Sequence, residues 1–293
     1  MKIRGALLIL LLFIICQAYA GNKRALLIGI SSYPAHRTSE QSWSPIHGAN
    51  DIKLISPTLQ KHGFKVVSLT ENQATARNIR DRLLKFSNAC KSGDIVYIHF
   101  SCHGQPVEDQ NSDETDGWDE SIIPFDAPKR YVPKVYHGQN HITDDELNKT
   151  FRKIRSKIGK HGYLTVVADA CHAGTLYRGD ESEDSVITRG TNVGFSTQGR
   201  KFVPKIDKRG RFLIEKSNTM SSISIIEACR SYQSNNEIKC NGSYYGPLSY
   251  YINLVLKSKS EIDWRSRWYE EVVSLMSRDS RLIRQNPVIE TSE

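Results

Sequence analysis

The residues with the most chemistry in this chain stand at two abrupt ends of apolar runs. Val166-Val167-Ala168-Asp169-Ala170-Cys171-His172-Ala173-Gly174 turns from aliphatic side chains to an acid, a thiol and a glycine. Ile95-Val96-Tyr97-Ile98-His99-Phe100-Ser101-Cys102-His103-Gly104 ends in an imidazole and a glycine. Short apolar runs of this kind form buried strands, and at their ends side chains meet solvent. Cys171 and His103 are therefore the parts of a thiol nucleophile with its base. A protonated thiol is a weak nucleophile, so a nearby imidazole is what this chemistry requires. Asp169 lies two residues before Cys171, and at strand period two their side chains share a face. His172 should point the other way and serve structure. His99 and His103 share a strand face, but alternation turns Cys102 away from them, which argues against a zinc cluster.

The elements that must position these residues alternate. Strands are expected at Ala25 to Ile30, Lys65 to Leu69, Ile95 to Ser101, Leu164 to Ala168 and Ser222 to Ala228. Helical spacing runs over Ala49 to His62 and Thr75 to Ala89, and predicts helices at Leu248 to Lys257 and Asp263 to Arg278. Thr143-Asp144-Asp145-Glu146 is a capping box that starts a helix ending near Ile158. Such alternation implies an α/β fold with a mostly parallel central sheet and helices on both faces. In such sheets ligands gather at the carboxyl ends of the strands, where His103 and Cys171 both lie. Residues 176–220 differ: polar, charged, with little periodicity, they read as a long surface loop or a pair of weak strands.

The N-terminus reads as a signal peptide over residues 1–20, with Lys2 and Arg4, an apolar run from Ala6 to Ile15, and Ala18-Tyr19-Ala20 before a cut ahead of Gly21. That expectation makes the protein exported, periplasmic or extracellular, and leaves residues 21–293 as one domain. The apolar run is short for a membrane span. Ile15 is bulky for a lipoprotein cut at Cys16. The net charge of +8 is thinly spread, with basic residues between Arg200 and Lys216 and near Arg265 to Arg284. Without interleaved aromatics this reads as solvated surface and argues against nucleic acid. Six cysteines less Cys16 leave an odd number, so at least one thiol stays unpaired in an oxidising compartment, and Cys171 is the natural candidate. Cys229 and Cys240 flank a polar loop and are able to pair; Cys90 and Cys102 read as buried residues.

Three stretches carry a resemblance. They are Phe100-Ser101-Cys102-His103-Gly104, Asp116-Gly117-Trp118-Asp119-Glu120-Ser121-Ile122-Ile123-Pro124-Phe125-Asp126 and Asp169-Ala170-Cys171-His172-Ala173-Gly174. With Gly48-Ala49-Asn50-Asp51 before them, they resemble the caspase-like clan of cysteine peptidases, most closely the metacaspases. Cys102 stands where that family usually has glycine, and Ala173 where it has serine. The resemblance implies a caspase-like three-layer sandwich. It implies Cys171 as nucleophile, His103 as base and then acid, and the N–H groups of Cys171 and Gly104 as an oxyanion hole.

The resemblance also assigns Asp51, Ser101 and Asp169 to a substrate pocket. Two carboxylates in one cleft favour Arg or Lys before the cut. Asp51 has a plainer reading as a helix-start acid. Calcium is implied at acids matching Asp119, Asp144 and Asp145, with the fourth falling loosely near Asp180; oxygen ligands suit that ion. Helix capping is the rival explanation for Asp144 and Asp145. No organic cofactor is implied. The expected partners are protein or peptide substrates, bound by a monomer. The alternatives are a caspase-like binding module without activity, or a peptidase with another preference at the cut. Self-cleavage is expected in the exposed 176–220 loop, with Arg189 favoured because Gly190 follows.

Overall fold

The computed structural model describes residues 21–36, 38–112, 114, 116–171 and 186–292. The signal segment and residues 172–185, with His172, Ala173, Gly174 and Asp180, lie outside them.

Five parallel strands make the heart of the fold: β1 (Lys23–Gly29), β2 (Phe64–Thr70), β3 (Ile95–Ser101), β7 (Tyr163–Asp169) and β9 (Ser222–Glu227). The seven-stranded sheet runs β2-β1-β3-β7-β9, then β12 (Val288–Thr291) and β8 (Arg211–Leu213). β12 is antiparallel to β9, and β8 is parallel to β12. Every residue of β3 is buried, as in a parallel strand covered on both faces, with Tyr97, His99 and Ser101 among the apolar residues. Helices α1 (Gly48–Lys61), α4 (Pro247–Ser258) and α5 (Tyr269–Arg278) pack on one face, around Leu27, Ile55, Ile252 and Tyr269. Helices α2 (Ala76–Ala89) and α3 (Asp144–Ile158) cover the other, around Ile28, Leu83, Ile98 and Ile154. This is the expected three-layer sandwich.

Local chemistry sets the helix starts. Thr75 accepts the Asn78 N–H at the start of α2, and Thr143 accepts the Glu146 N–H at the start of α3, as the capping box requires. Buried Arg155 ties the end of α3 to the sheet by donating from Nε to the Ser221 carbonyl at 2.9 Å. No helix among the described residues is long and apolar enough to cross a membrane.

Two expectations change, and two small β elements join the fold. The last helix begins at Tyr269, not Asp263, because Asp263 closes a tight turn with the N–H groups of Arg265 and Ser266. A small antiparallel sheet of β4 (Gly104–Glu108), β5 (Trp118–Ile122) and β6 (Ile142–Thr143) follows β3, and a hairpin of β10 (Ile238–Cys240) and β11 (Ser243–Tyr245) precedes α4. Cys229 and Cys240 are not bridged: the five cysteines among the described residues are all thiols. Cys240 instead lies beside Arg281, 3.6 Å from its Nη1.

Candidate active site

β3 and β7 are neighbours in register, with Ser101 opposite Asp169. The histidine and cysteine beyond their ends therefore leave the sheet side by side. Neither is exposed, contrary to the sequence expectation: His103 retains 2% exposure and Cys171 none, because other chain segments cover both. The His103 ring is stacked on Trp43 with centroids 4.7 Å apart, and Tyr33 lies on it at 5.2 Å. The Tyr33 hydroxyl accepts the His103 backbone N–H.

The His103 tautomer follows from its partners. Nε2 lies 2.8 Å from the Ser44 carbonyl oxygen, which can only accept, so Nε2 carries the proton. Nδ1 is buried with no hydrogen-bond partner among the described residues, and its lone pair is the free base. Burial pulls the imidazole pKa down to about 3 against the Ser44 hydrogen bond, so the ring is neutral at ordinary pH. The Cys171 thiol donates to the Gln233 carbonyl at 2.9 Å.

The 176–220 segment is not loose surface at its critical point. Arg189 is fully buried, and it sits among the pocket residues read from the sequence. Its Nη1 donates to Asp51 Oδ2 and to Ser101 Oγ, each at 2.7 Å, and lies 3.6 Å from Asp169 Oδ1. The Ser101 hydroxyl in turn donates to Asp51 Oδ2 at 2.6 Å. Gly246 forms the wall: its N–H donates to Asp51, and a Cβ there would come 2.2 Å from Asp169 Oδ2 and 2.4 Å from Arg189 Nη1.

Sequence reasoning missed a third carboxylate. Glu237 Oε1 accepts Arg189 Nε at 2.9 Å and lies 2.7 Å from Nη2. Glu237 is itself held by the backbone N–H and Nδ1 of His47. It lies in a polar loop without periodicity, so no local signal marked it. Its only cue was a lone acid shortly after a strand end that already carried chemistry.

Asp169 is fixed from below. Oδ2 accepts both the N–H and the hydroxyl of Ser249 at 2.7 Å, and Oδ1 accepts Asn235 Nδ2 at 2.7 Å. Because the Ser249 proton goes to Asp169, its oxygen accepts from His99 Nε2, and His99 Nδ1 accepts from Tyr97. Burial lowers His99 to about 4, so this chain brings no extra charge. Asp51 is raised to about 7, by burial first, with Arg189 opposing and Asp169 adding to the rise. Burial disfavours the Arg189 cation, but Asp51, Asp169 and Glu237 outweigh it and push its pKa above the ordinary value.

The backbone of the same segment is docked as tightly. The Arg189 carbonyl accepts the N–H of Cys171 at 3.0 Å and of Gly104 at 3.2 Å. These are the two donors expected of the oxyanion hole. Arg189 N–H donates to the Asn235 carbonyl, Glu237 N–H to the Ile187 carbonyl, and Thr188 bridges Asn236 in antiparallel fashion. Residues 187–189 thus lie against 235–237 as an added β-strand, the geometry in which extended peptides are bound.

The acids expected to hold calcium are only partly brought together. Asp144 Oδ1 is buried with no hydrogen-bond partner among the described residues, and burial together with Asp119 raises Asp144 to about 7. Asp145 accepts a hydrogen bond from Asn111. No group of three metal-ligating side chains converges among the described residues.

The comparisons with known proteins agree with this geometry. Metacaspase-7 of Arabidopsis thaliana is 32% identical over 174 residues, which is 56% of this chain and 37% of that protein. Metacaspase-6 of the same plant is 31% identical over 190 residues, 61% of this chain and 43% of that one. The chain thus spans less than half the length of these relatives. A Geobacter sulfurreducens protein superposes with a TM-score of 0.62 at 22% identity, covering 92% of this chain and 93% of that one. Caspase-1 from Spodoptera frugiperda does so with a TM-score of 0.53 at 13% identity, covering 92% and 88%. The profile described as metacaspase, peptidase C14 domain, matches residues 23–178, which hold both strand ends, Asp51 and the acidic stretch. With more than half of its length matched and its sheet folded as in a caspase, this chain belongs to the metacaspases.

Proposed function

We propose that this protein is a cysteine endopeptidase that cleaves after arginine in preference to lysine, and that its own Arg189–Gly190 bond is a substrate. One observation carries the reading: Arg189 has its guanidinium among three carboxylates while its carbonyl is held by the N–H groups of Cys171 and Gly104. In this reading His103 Nδ1 takes the Cys171 proton and the sulfur attacks the carbonyl carbon. The two N–H groups take up the charge that develops on the oxygen. His103 then protonates the leaving amine, and water releases the acyl group by the same route reversed. The thiol must first turn from the Gln233 carbonyl, so the arrangement described is a resting one.

Arginine is favoured over lysine because Asp51 and Glu237 grip opposite ends of the planar guanidinium. An ammonium is a single point charge and cannot span both. Calcium is proposed as the cation for Asp119 and Asp144. The Asp144 oxygen without a hydrogen-bond partner among the described residues supports that role, and hard carboxylate oxygens suit the ion.

The test is hydrolysis of paired Arg and Lys fluorogenic peptides, with and without calcium chelator, by wild type, Cys171→Ala and His103→Ala. Retained turnover in pure Cys171→Ala sinks the assignment of the nucleophile. Equal rates on both peptides remove the arginine preference, and indifference to the chelator removes calcium.

A further inference from the structure

A second thiol touches the candidate nucleophile. Cys229 lies just past the end of β9, the strand paired directly with β7. The pairing continues past the strands, because the Ala228 N–H donates to the Ala168 carbonyl at 3.0 Å. The same register sets Cys229 opposite Ala170, one residue from Cys171. Adjacent strands lie about 4.8 Å apart, so Cys171, the diagonal neighbour of Cys229, is close enough across the pair for its side chain to meet that of Cys229. The side chains use this proximity. The thiols of Cys171 and Cys229 both donate to one acceptor, the Gln233 carbonyl, at 2.9 and 3.5 Å, which sets the two sulfurs side by side.

The other thiols are committed elsewhere. Cys90 donates to the Phe86 carbonyl, Cys102 is packed into the core under α2 and α3, and Cys240 lies beside Arg281. The neighbouring Cys171 thiol, then burial, raises the Cys229 pKa. First attack by an oxidant is assigned to Cys171, the thiol that the proposed mechanism deprotonates through His103. Gly190 packs directly against Cys171, so the docked segment shields the pair until it moves.

We propose that Cys229 is a resolving thiol for Cys171, and that peroxide closes the two into a disulfide that stores the nucleophile in a reducible form. The inference rests on Cys171 being the nucleophile. The Cys171 thiolate attacks one peroxide oxygen, the O–O bond breaks, and the departing hydroxide takes a proton to leave as water. Cys171 is then a sulfenic acid. Cys229 sulfur attacks that sulfur, the S–S bond forms, the S–O bond breaks, and a second water leaves. Two thiols lose two electrons and two protons, and one hydrogen peroxide becomes two waters.

The experiment uses the full chain before and after incubation under activating conditions. Each sample receives a hydrogen peroxide pulse, alkylation, and non-reducing peptide mass spectrometry. The expected result in wild type is a linked Cys171–Cys229 peptide accounting for most of Cys171, removed by dithiothreitol with return of peptide hydrolysis. In Cys229→Ser, peroxide should carry Cys171 to sulfinic acid, and dithiothreitol should restore nothing. Absence of the linked peptide in both wild-type samples, or a link from Cys171 to another cysteine, overturns the proposal. The link is read by mass, so it is scored even in a protein without turnover. Such a protein would defeat the peptidase reading and leave the resolving-thiol result standing on its own.

Discussion

Gly190 lies so close to Cys171 that a Cβ on the glycine would come 2.1 Å from the cysteine carbonyl oxygen. A backbone atom at that distance cannot move aside as a flexible side-chain end can. The chain leaving Arg189 is therefore threaded over Cys171 through a gap that admits only glycine.

Gly190→Ala should accordingly lift the segment from its seat. Self-cleavage after Arg189 is expected to slow by about tenfold or more, the effect of misplacing a reacting group by about an ångström. Intact-mass measurement over time reads the outcome. Wild-type rates of cutting at the same bond would show that the gap relaxes freely.

Removing the buried cation should cost stability. In a Cys171→Ala background, Arg189→Ala leaves Asp51, Asp169 and Glu237 without their counter-ion. Breaking a buried pair on one side costs about 3–5 kcal/mol, partly relieved when a carboxylate takes up a proton. Asp51 is the one to do so: it stands near 7 with Arg189 present, and loss of the cation raises it further. The melting difference between the two proteins should thus be smaller at pH 6, where Asp51 is protonated, and larger at pH 8.5. A gap that narrows as pH rises would contradict this.

The same carboxyl sets a pH profile for cleavage after arginine. His103 is already neutral over the working range, so it adds no limb near pH 7. Below about 7 Asp51 is protonated and grips the guanidinium weakly. With the pocket empty, the lowering influence of Arg189 is gone, so the inflection falls at or above about 7. We expect kcat/KM for an arginine peptide to rise with pH through that region, and Asp51→Asn to lower the plateau and remove this limb. Losing one hydrogen bond to a charged group corresponds to about 10- to 100-fold in kcat/KM. An unchanged profile in Asp51→Asn would assign the limb to another group.

Glu237→Gln should separate arginine from lysine. It keeps the shape and removes the charge facing Nε and Nη2, atoms that lysine lacks. Arginine peptides should lose about tenfold or more in kcat/KM, the scale of one charge-assisted hydrogen bond, while lysine peptides lose less. Equal losses would mean that Glu237 acts only through the overall potential.

Much of this site was legible because it hangs on strong periodic elements. β3 and β7 are short, mostly apolar runs, so the places of His103, Ser101, Asp169 and Cys171 could be read from where each run stops. The helix start at Asp51 was equally plain. The groups that complete the pocket come from segments with no period. Glu237, Asn235 and Gln233 lie between β9 and β10, and Trp43 and Ser44 lie in the loop before α1. Long-range contacts alone bring them in. Pro106 reads against a strand, yet it is paired in β4, at the edge of a small sheet. Arg189 was the instructive case. Glycine after it singled out the residue that the structure seats among the pocket acids, but polar composition argued exposure, whereas three buried carboxylates compensate its charge in the interior.

A cut at that bond would change the molecularity of folding because of its place in the sheet order. Residues 189 and 190 lie between β7 and β9, which are paired over six residues. One fragment of a cut chain would carry β1, β2, β3 and β7, and the other β9, β12, α4 and α5, the helices that cover one face of the first fragment's strands. The native form would stay together, because neither fragment has a complete core. Unfolding the intact chain is unimolecular, whereas refolding the cut form needs two chains to meet. Its thermal midpoint should therefore fall on dilution, and that of Cys171→Ala should not. A single cut would thus turn a reversible folding unit into one that, once unfolded at low concentration, does not come back.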